Sequence, residues 1–93
     1  MKRLYAMVAT VTIADYESAQ QQLHERVIPM VKQAPGFVGG YWLAPADGEG
    51  LGLVVFDTEE NANAMATRLR GPDVRPEGVE VVSIDVREVA GSA

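Results

Sequence analysis

The pattern of apolar and polar positions predicts a strand and then a helix at the start of the chain. Residues 3–13 carry β-branched and apolar side chains on both alternating faces, as in a central strand covered on both sides. Residues 15–34 place apolar side chains at steps of three or four, which predicts a helix with one apolar face. Asp15 is its expected N-cap. Pro29 lacks an N–H and clashes with the carbonyl of Glu25, so we expect a kink or a loosened turn there.

Turn residues in the middle of the chain predict a β-hairpin. Pro35 and Gly36 are expected to end the first helix. Strands are predicted over residues 37–44 and 51–56, and the segment PADGEG between them holds residue types that form tight turns. The two strands should therefore pair with each other.

The last third of the chain predicts a second helix and a fourth strand. The helix is expected over residues 58–70, with Asp57 and Glu60 resembling a capping box at its start. A loop is expected over 71–78 and a strand over 79–89. Strict alternation in that strand gives two faces: Val82, Ile84 and Val86 on one, and Val81, Ser83, Asp85 and Arg87 on the other.

The order of the predicted elements is β-α-β-β-α-β. With right-handed crossovers, this order predicts a ferredoxin-like α+β domain over residues 1–93, with both helices on one face of a four-stranded sheet. The other face of the four strands covers about 400 Å², roughly the largest apolar patch that a monomer leaves bare, and neither face of the first three strands is clearly polar. We therefore predict a homodimer that forms by sheet-to-sheet packing.

Adjacent glycines interrupt the apolar second strand, within the stretch PGFVGGYWL. Gly39 and Gly40 should open gaps on opposite faces of the sheet, since successive strand residues alternate. The gap on the helix side admits a helix or a ligand, and the other admits bulky side chains from elsewhere. Tyr41 and Trp42 likewise point to opposite faces.

Composition removes several classes of function. Eight basic against thirteen acidic residues, a net charge of −5, argue against binding to nucleic acid or to an anionic membrane surface. The chain has no cysteine, which excludes a disulfide, a thiolate nucleophile and an iron–sulfur ligand, and its single histidine cannot form a metal-binding cluster. We therefore predict neither a metal site nor a cofactor.

The first residues could be read as a signal peptide, because two basic residues precede an apolar run. However, Tyr5, Thr10 and Thr12 interrupt the run, no clear A-x-A cleavage site follows, and the segment is needed as a strand. No run of about 18 apolar residues exists, so we expect no membrane-spanning segment and a cytoplasmic location.

Over about residues 4–89 the chain resembles the antibiotic-biosynthesis-monooxygenase-like group of dimeric α+β barrels. Two segments carry the resemblance: VIPMVKQAPGFVGGYWL, from the first helix into the second strand, and VVFDTEENANAMA, from the third strand into the second helix. The resemblance implies a dimer joined sheet on sheet and a pocket for an aromatic or polycyclic ligand between sheet and helices. Some members oxidise that ligand with O₂ and without metal or flavin, some degrade haem, and many have no assigned reaction.

The chain departs from the group at two points. Members often carry tryptophan at the end of the third strand, where this chain has Phe56. The haem-degrading branch has an Asn-Trp-His set with its Trp and His in the second half of the chain. Here the only tryptophan is Trp42 and the only histidine is His24, which argues against that branch.

Five residues are candidates for a site. His24 flanks the apolar stripe of the first helix and is either a boundary histidine or a general base, since imidazole titrates close to neutrality. Trp42 and Tyr5 are either core or interface residues or walls for a flat ligand. Arg87 either pairs with Asp85 on the same strand face or anchors a ligand. Asn61, near a helix start, is either solvated or a ligand contact.

Two functions remain open. The first is a cofactor-independent monooxygenase acting on an aromatic or polycyclic substrate. The second is a non-catalytic small-molecule-binding or structural homodimer. A polar pocket ready for catalysis would favour the first, and a closed apolar core around Gly39 or Gly40 would favour the second.

Overall fold

The computed structural model describes residues 3–71 and 78–93, and the elements follow the predicted order. The strands are β1 (Tyr5–Ile13), β2 (Phe37–Ala46), β3 (Glu49–Phe56) and β4 (Val79–Glu88). The helices are α1 (Tyr16–Gln22), α2 (Ile28–Lys32) and α3 (Glu59–Arg70), with a π-helical turn at Leu23–Val27 between the first two. The loop predicted over 71–78 lies, except for its two end residues, outside the described residues.

The strands form one sheet in the order β2-β3-β1-β4, and every neighbouring pair is antiparallel. This is the predicted ferredoxin-like arrangement, in which each helical crossover passes over the strand between the two that it connects. Phe56 on β3 stands opposite both Tyr5 on β1 and Phe37 on β2. The buried core lies between the sheet and the helices, and its largest fully buried side chains are Phe56, Met7, Val31 and Val54.

The first helical segment, residues 16–32, contains the loosened turn that Pro29 predicted. Asp15 caps it as expected, since its Oδ1 accepts a hydrogen bond from the Ser18 N–H at 3.2 Å. The Ile28 N–H donates to the Leu23 carbonyl, five residues back, which defines a π turn. The turn precedes Pro29, which then sits in the first turn of α2, where a missing N–H costs little.

The start of α3 corrects one prediction. Thr58, and not Asp57, is the N-cap, because the Thr58 Oγ1 accepts a hydrogen bond from the Asn61 N–H at 3.1 Å. Asp57 instead accepts a hydrogen bond from the Asn61 side-chain amide at 2.9 Å. A threonine directly after an aspartate leaves either residue able to cap, and the chain leaving β3 decides between them.

A β-bulge corrects the predicted faces of β4. The register between β1 and β4 shifts between Thr10 and Val11, so that Thr10 pairs with Ser83 while Val11 pairs with Val81. The extra residue is Val82, which is 57% exposed. Val81 therefore packs against the core on the same face as Ile84, contrary to strict alternation.

Two glycines with positive φ shape the connections. Gly36 has φ 78°, and a Cβ there would collide with the side chains of Asp57 and Asn61. Asp47 and Gly48 have φ 53° and 81° and form the hairpin turn between β2 and β3. Two consecutive residues with positive φ match the turn type that Asp-Gly favours in hairpins.

The sheet face away from the helices is open in the protomer and is apolar over β2, β3 and the first half of β1, while β4 adds the polar side chains of Ser83, Asp85 and Arg87. Tyr41 and Leu43 on β2 are 73% and 56% exposed. Half-buried apolar side chains continue this surface on the two central strands: Val8, Leu51, Leu53 and Val55. We call it the open face.

Among the described residues, no helix is long and apolar enough to cross a lipid bilayer.

Candidate ligand-binding site

Two adjoining cavities lie on the helix side of the sheet. The inner cavity has a volume of about 130 Å³ and lies between the sheet and the first helical segment. Its lining is mainly apolar and includes Met7, Ala9, Ala19, Val54 and Ile84. The groove, of about 510 Å³, lies between the same helical segment and the edge strand β2.

The indole of Trp42 lies over glycines. A Cβ on Gly52, its partner across the strands, would lie 3.2 Å from the Trp42 Cδ1 and 3.3 Å from the Nε1. A Cβ on Gly40 would lie 3.2 Å from the Trp42 Cη2. Gly39, on the open face, has no atom within 4 Å of the same position. The two glycines therefore lie on opposite faces, as predicted. The gap on the helix side holds the indole of the same strand and not a helix or a ligand, and the gap at Gly39 is open in the protomer.

The two cavities share part of their lining. Five residues border both of them: Tyr16, Gln20, Leu23, Trp42 and Ala44. The half-buried Trp42 contributes from the sheet, and α1 with the π turn contributes from the opposite side. A molecule that reaches from one cavity to the other therefore passes between Trp42 and the helical segment.

A row of residues at four-residue steps lines the groove: Tyr16, Gln20, His24, Ile28 and Lys32. In a regular α-helix, a step of four residues overshoots one turn by about 40°, so such a row drifts around the helix. A π turn holds more residues per turn, which offsets that drift. The π turn at Leu23–Val27 lies midway along the row and helps to keep both its ends facing the groove.

His24 is held at the groove by a hydrogen bond. The Gln20 Nε2–H donates to the His24 Nε2 at 3.4 Å, which requires the imidazole tautomer that carries its hydrogen on Nδ1. The His24 side chain is exposed, and Gln20 borders both cavities. The pair therefore places an imidazole beside the groove and an amide at the junction of the two cavities.

Lys32 carries the only formal charge among the described residues that line the groove. His24 adds an imidazole and Tyr16 a phenol group, and none of these lining residues is Asp or Glu. This distribution contrasts with a chain that carries thirteen acidic and eight basic residues. The groove is thus a locally cationic surface on an acidic protein.

The structure brings together two of the five predicted site residues, His24 and Trp42, at the groove. Tyr5 is half-buried and packs against the core, and Asn61 is held by Asp57 and Thr58 at the start of α3. Arg87 is exposed on β4. These last three border neither cavity.

Sequence reasoning missed Gln20 and Lys32 as lining residues. Their signal is the row at four-residue steps, which runs beside the apolar stripe and is polar at Gln20, His24 and Lys32. On a regular α-helix such a row would drift by about 160° from Tyr16 to Lys32, so sequence alone does not place both of its ends on one surface.

In residues 3–71 and 78–93, no three His, Asp or Glu side chains come together as metal ligands.

Comparison with known proteins identifies the fold. No protein-family model matches the chain, and no curated protein matches it in sequence. A solved haem-degrading protein from Mycobacterium tuberculosis, haem-free and cleaved, matches with a TM-score of 0.54 and 22% identity over 96% of each chain. A mutant of MhuD with two manganese protoporphyrin IX bound per active site matches with a TM-score of 0.57 and 16% identity over 97% of each chain.

At these identities the likeness concerns the fold alone. The chain is a ferredoxin-like α+β protein. Both solved structures share this fold over nearly the whole of the chain, and it is the fold that the sequence resemblance implied.

The residues of this chain do not suit a porphyrin in the inner cavity. Haem iron is held by an axial side chain, most often histidine, and His24, the only histidine, borders the groove instead. The volume of about 130 Å³ is close to that of an engineered cavity of roughly 150 Å³ that binds benzene. The inner cavity is thus of a size for a single ring.

Proposed function

We propose that the chain is a small-molecule-binding protein whose inner cavity receives a single aromatic ring. The observation that carries the proposal is the inner cavity itself, about 130 Å³ of mainly apolar space in a 93-residue chain. Its lining offers a ring mainly apolar surface, and burial of apolar surface contributes about 25 cal/mol per Å².

Toluene is a suitable probe of the inner cavity, with binding followed by the amide NMR signals of Ala19 and Gly52. We expect saturable shifts at both amides. Ala19 is buried on α1 and borders the cavity, so Ala19→Leu should fill the space and abolish the shifts. Ala64→Leu, on the exposed face of α3, is the matched control and should leave them unchanged. Absence of saturable binding in the wild type would leave the structural homodimer as the function.

A second candidate function is cofactor-independent monooxygenation, and the placement of His24 favours it. An imidazole at the groove can take the proton of a phenol that lies between Trp42 and the helical segment. The resulting phenolate activates a neighbouring CH₂ group toward O₂. The CH₂ group loses two hydrogens and one oxygen atom of O₂ becomes its carbonyl oxygen. The other oxygen atom leaves as water, and the substrate supplies the two electrons that reduce it.

Consumption of O₂ with an electron-rich phenol that carries a benzylic CH₂ tests this second candidate. We expect His24→Ala to slow turnover by about a hundredfold, in the range of a lost general base, without changing the melting temperature. Glu25→Ala, on the next residue of the π turn, is the control, because Glu25 borders neither cavity. Unchanged turnover in His24→Ala would remove His24 from the mechanism. No consumption by the wild type would end the oxygenase proposal and leave ligand binding standing.

We also infer that the working protein is a homodimer joined through the open face. Tyr41 and Leu43 would leave water on pairing, along with the half-buried side chains of the two central strands. Burial of apolar surface contributes about 25 cal/mol per Å², and a two-fold contact of one face with itself is the commonest form of soluble oligomer. The cavities lie on the opposite side of the sheet, so pairing leaves the helix side free.

A further inference from the structure

We propose that the ligand is an amphipathic anion, with its ring in the inner cavity and its carboxylate or phenolate group in the groove at Lys32. The proposal rests on the proposed ligand-binding function and adds the chemical class of the ligand. Its basis is the difference in polarity between two cavities that share part of their lining. The inner cavity is mainly apolar, and the groove carries Lys32 and His24.

The shape of the site selects a ligand with two distinct ends. The inner cavity accepts roughly the volume of one ring. The groove, at about 510 Å³, is larger and more polar, and Trp42 with Gln20 stands between the two. A molecule with one apolar ring, a polar group and a linker long enough to reach from Trp42 to Lys32, about three helical turns beyond Gln20, would fill both. A wholly apolar molecule would leave the groove to water.

The charge of the groove selects the sign of the polar group. Lys32 is the only residue of the row whose charge is fixed at neutral pH, and its flexible stem lets the ammonium follow a ligand. His24 adds a second hydrogen-bonding group two helical turns earlier, next to Gln20. Because the protein as a whole is negative, an anion meets favourable charge only locally, and the groove is such a place.

The test compares 8-phenyloctanoate with 8-phenyloctan-1-ol, which share the ring and a linker long enough to reach Lys32 and which differ in charge. Dissociation constants are measured by NMR titration at low salt and at about 1 M salt. We expect the wild type to bind the carboxylate about fivefold more tightly at low salt, the upper range of a solvent-exposed ion pair, and to lose most of that preference at high salt. Both probes should shift the Ala19 and Gly52 amides.

Two variants locate the effect. Lys32→Met removes the ammonium, keeps an apolar stem, and should abolish the preference for the carboxylate while leaving alcohol binding unchanged. Arg26→Met loses the same unit of charge from the same helical segment at a residue outside the groove, and it should keep the preference.

The outcomes separate the two proposals. Equal binding of carboxylate and alcohol by the wild type, or an equal loss of preference in both variants, would overturn the anionic ligand and leave ring binding intact. Failure of both probes to shift the cavity amides would overturn ligand binding itself. A preference that disappears only in Lys32→Met supports the assignment.

Discussion

The indole of Trp42 lies against the backbone of Gly52, its partner on the adjacent strand, at a distance that leaves no room for a side chain. A β-carbon at Gly52 would come within 3.3 Å of two indole atoms. The glycines of β2 and β3 therefore leave space on the sheet against which one large aromatic side chain packs. Trp42 in turn borders both the inner cavity and the groove, so the glycines determine where the wall between the two cavities lies.

Gly40→Val should destabilise the protein by about 1–3 kcal/mol through overpacking, although valine is the better strand residue. A Cβ at Gly40 already approaches Trp42 Cη2 and the Leu53 carbonyl at 3.2 Å, and the two methyl groups of valine would displace the ring. The emission of Trp42, the only tryptophan, should shift with it. Unfolding in urea, followed by far-UV circular dichroism, measures the free energy.

Gly39→Val is the matched control in the same strand, because no atom lies within 4 Å of a Cβ at Gly39. It should leave the Trp42 emission unchanged. A Gly40→Val protein as stable as the wild type, with the same emission, would contradict the position assigned to the indole.

Gly36→Ala should cost more stability than Gly48→Ala. Both residues have positive φ, 78° and 81°, so both substitutions carry a backbone cost of about 1–2 kcal/mol. Only at Gly36 would the new methyl group also collide with the side chains of Asp57 and Asn61. We expect a further 1–3 kcal/mol or so at Gly36, measured by urea unfolding of the two variants. Equal losses would mean that the Asp57–Asn61 pair gives way at little cost.

Leu53→Lys should convert the inferred dimer into a monomer. Leu53 lies opposite Tyr41 on the open face, and a lysine there would have to be buried without a partner in a sheet-to-sheet contact. We expect dimer dissociation to become at least about a hundredfold easier, measured by sedimentation at micromolar concentration. Ala64→Lys, on the exposed side of α3, should leave the mass unchanged. A folded wild type with the mass of one chain would refute the dimer.

Much of the fold follows from local sequence signals. Apolar periodicity, the Asp15 cap and the Asp47–Gly48 turn depend on residues near each other in the chain, and these predictions agree with the structure within two residues at element ends. Topology then follows, because right-handed crossovers leave few ways to connect β-α-β-β-α-β.

The sequence predictions fail where contacts with neighbouring elements determine the local structure. Val81 faces the core because β4 must match the register of β1 on both sides of a bulge, and alternation along β4 alone cannot show this. Thr58 caps α3 in place of Asp57, whose carboxylate accepts a hydrogen bond from the Asn61 side chain, because the path of the chain leaving β3 decides which of the two residues reaches the helix N-terminus.

The candidate site was only partly predictable for the same reason. His24 and Trp42 were recognisable because a single histidine and a single tryptophan stand out in a chain. The contribution of Lys32 depends on the rotation of α2 relative to α1, which the π turn sets. Tyr5, Asn61 and Arg87 have suitable chemistry, but distance in three dimensions separates them from the two cavities.

The π turn lets the first helical segment hold one residue more than a regular α-helix of the same phase. On a regular helix Lys32 would be rotated by about 120° from Gln20, and the wider turn takes most of that rotation back. Deletion of Arg26 alone would therefore allow the segment to close as a regular α-helix with Lys32 still facing the groove. A single-residue gap between Gln20 and Lys32 in a related chain thus marks the loss of the π turn and not a change in the residues that line the groove.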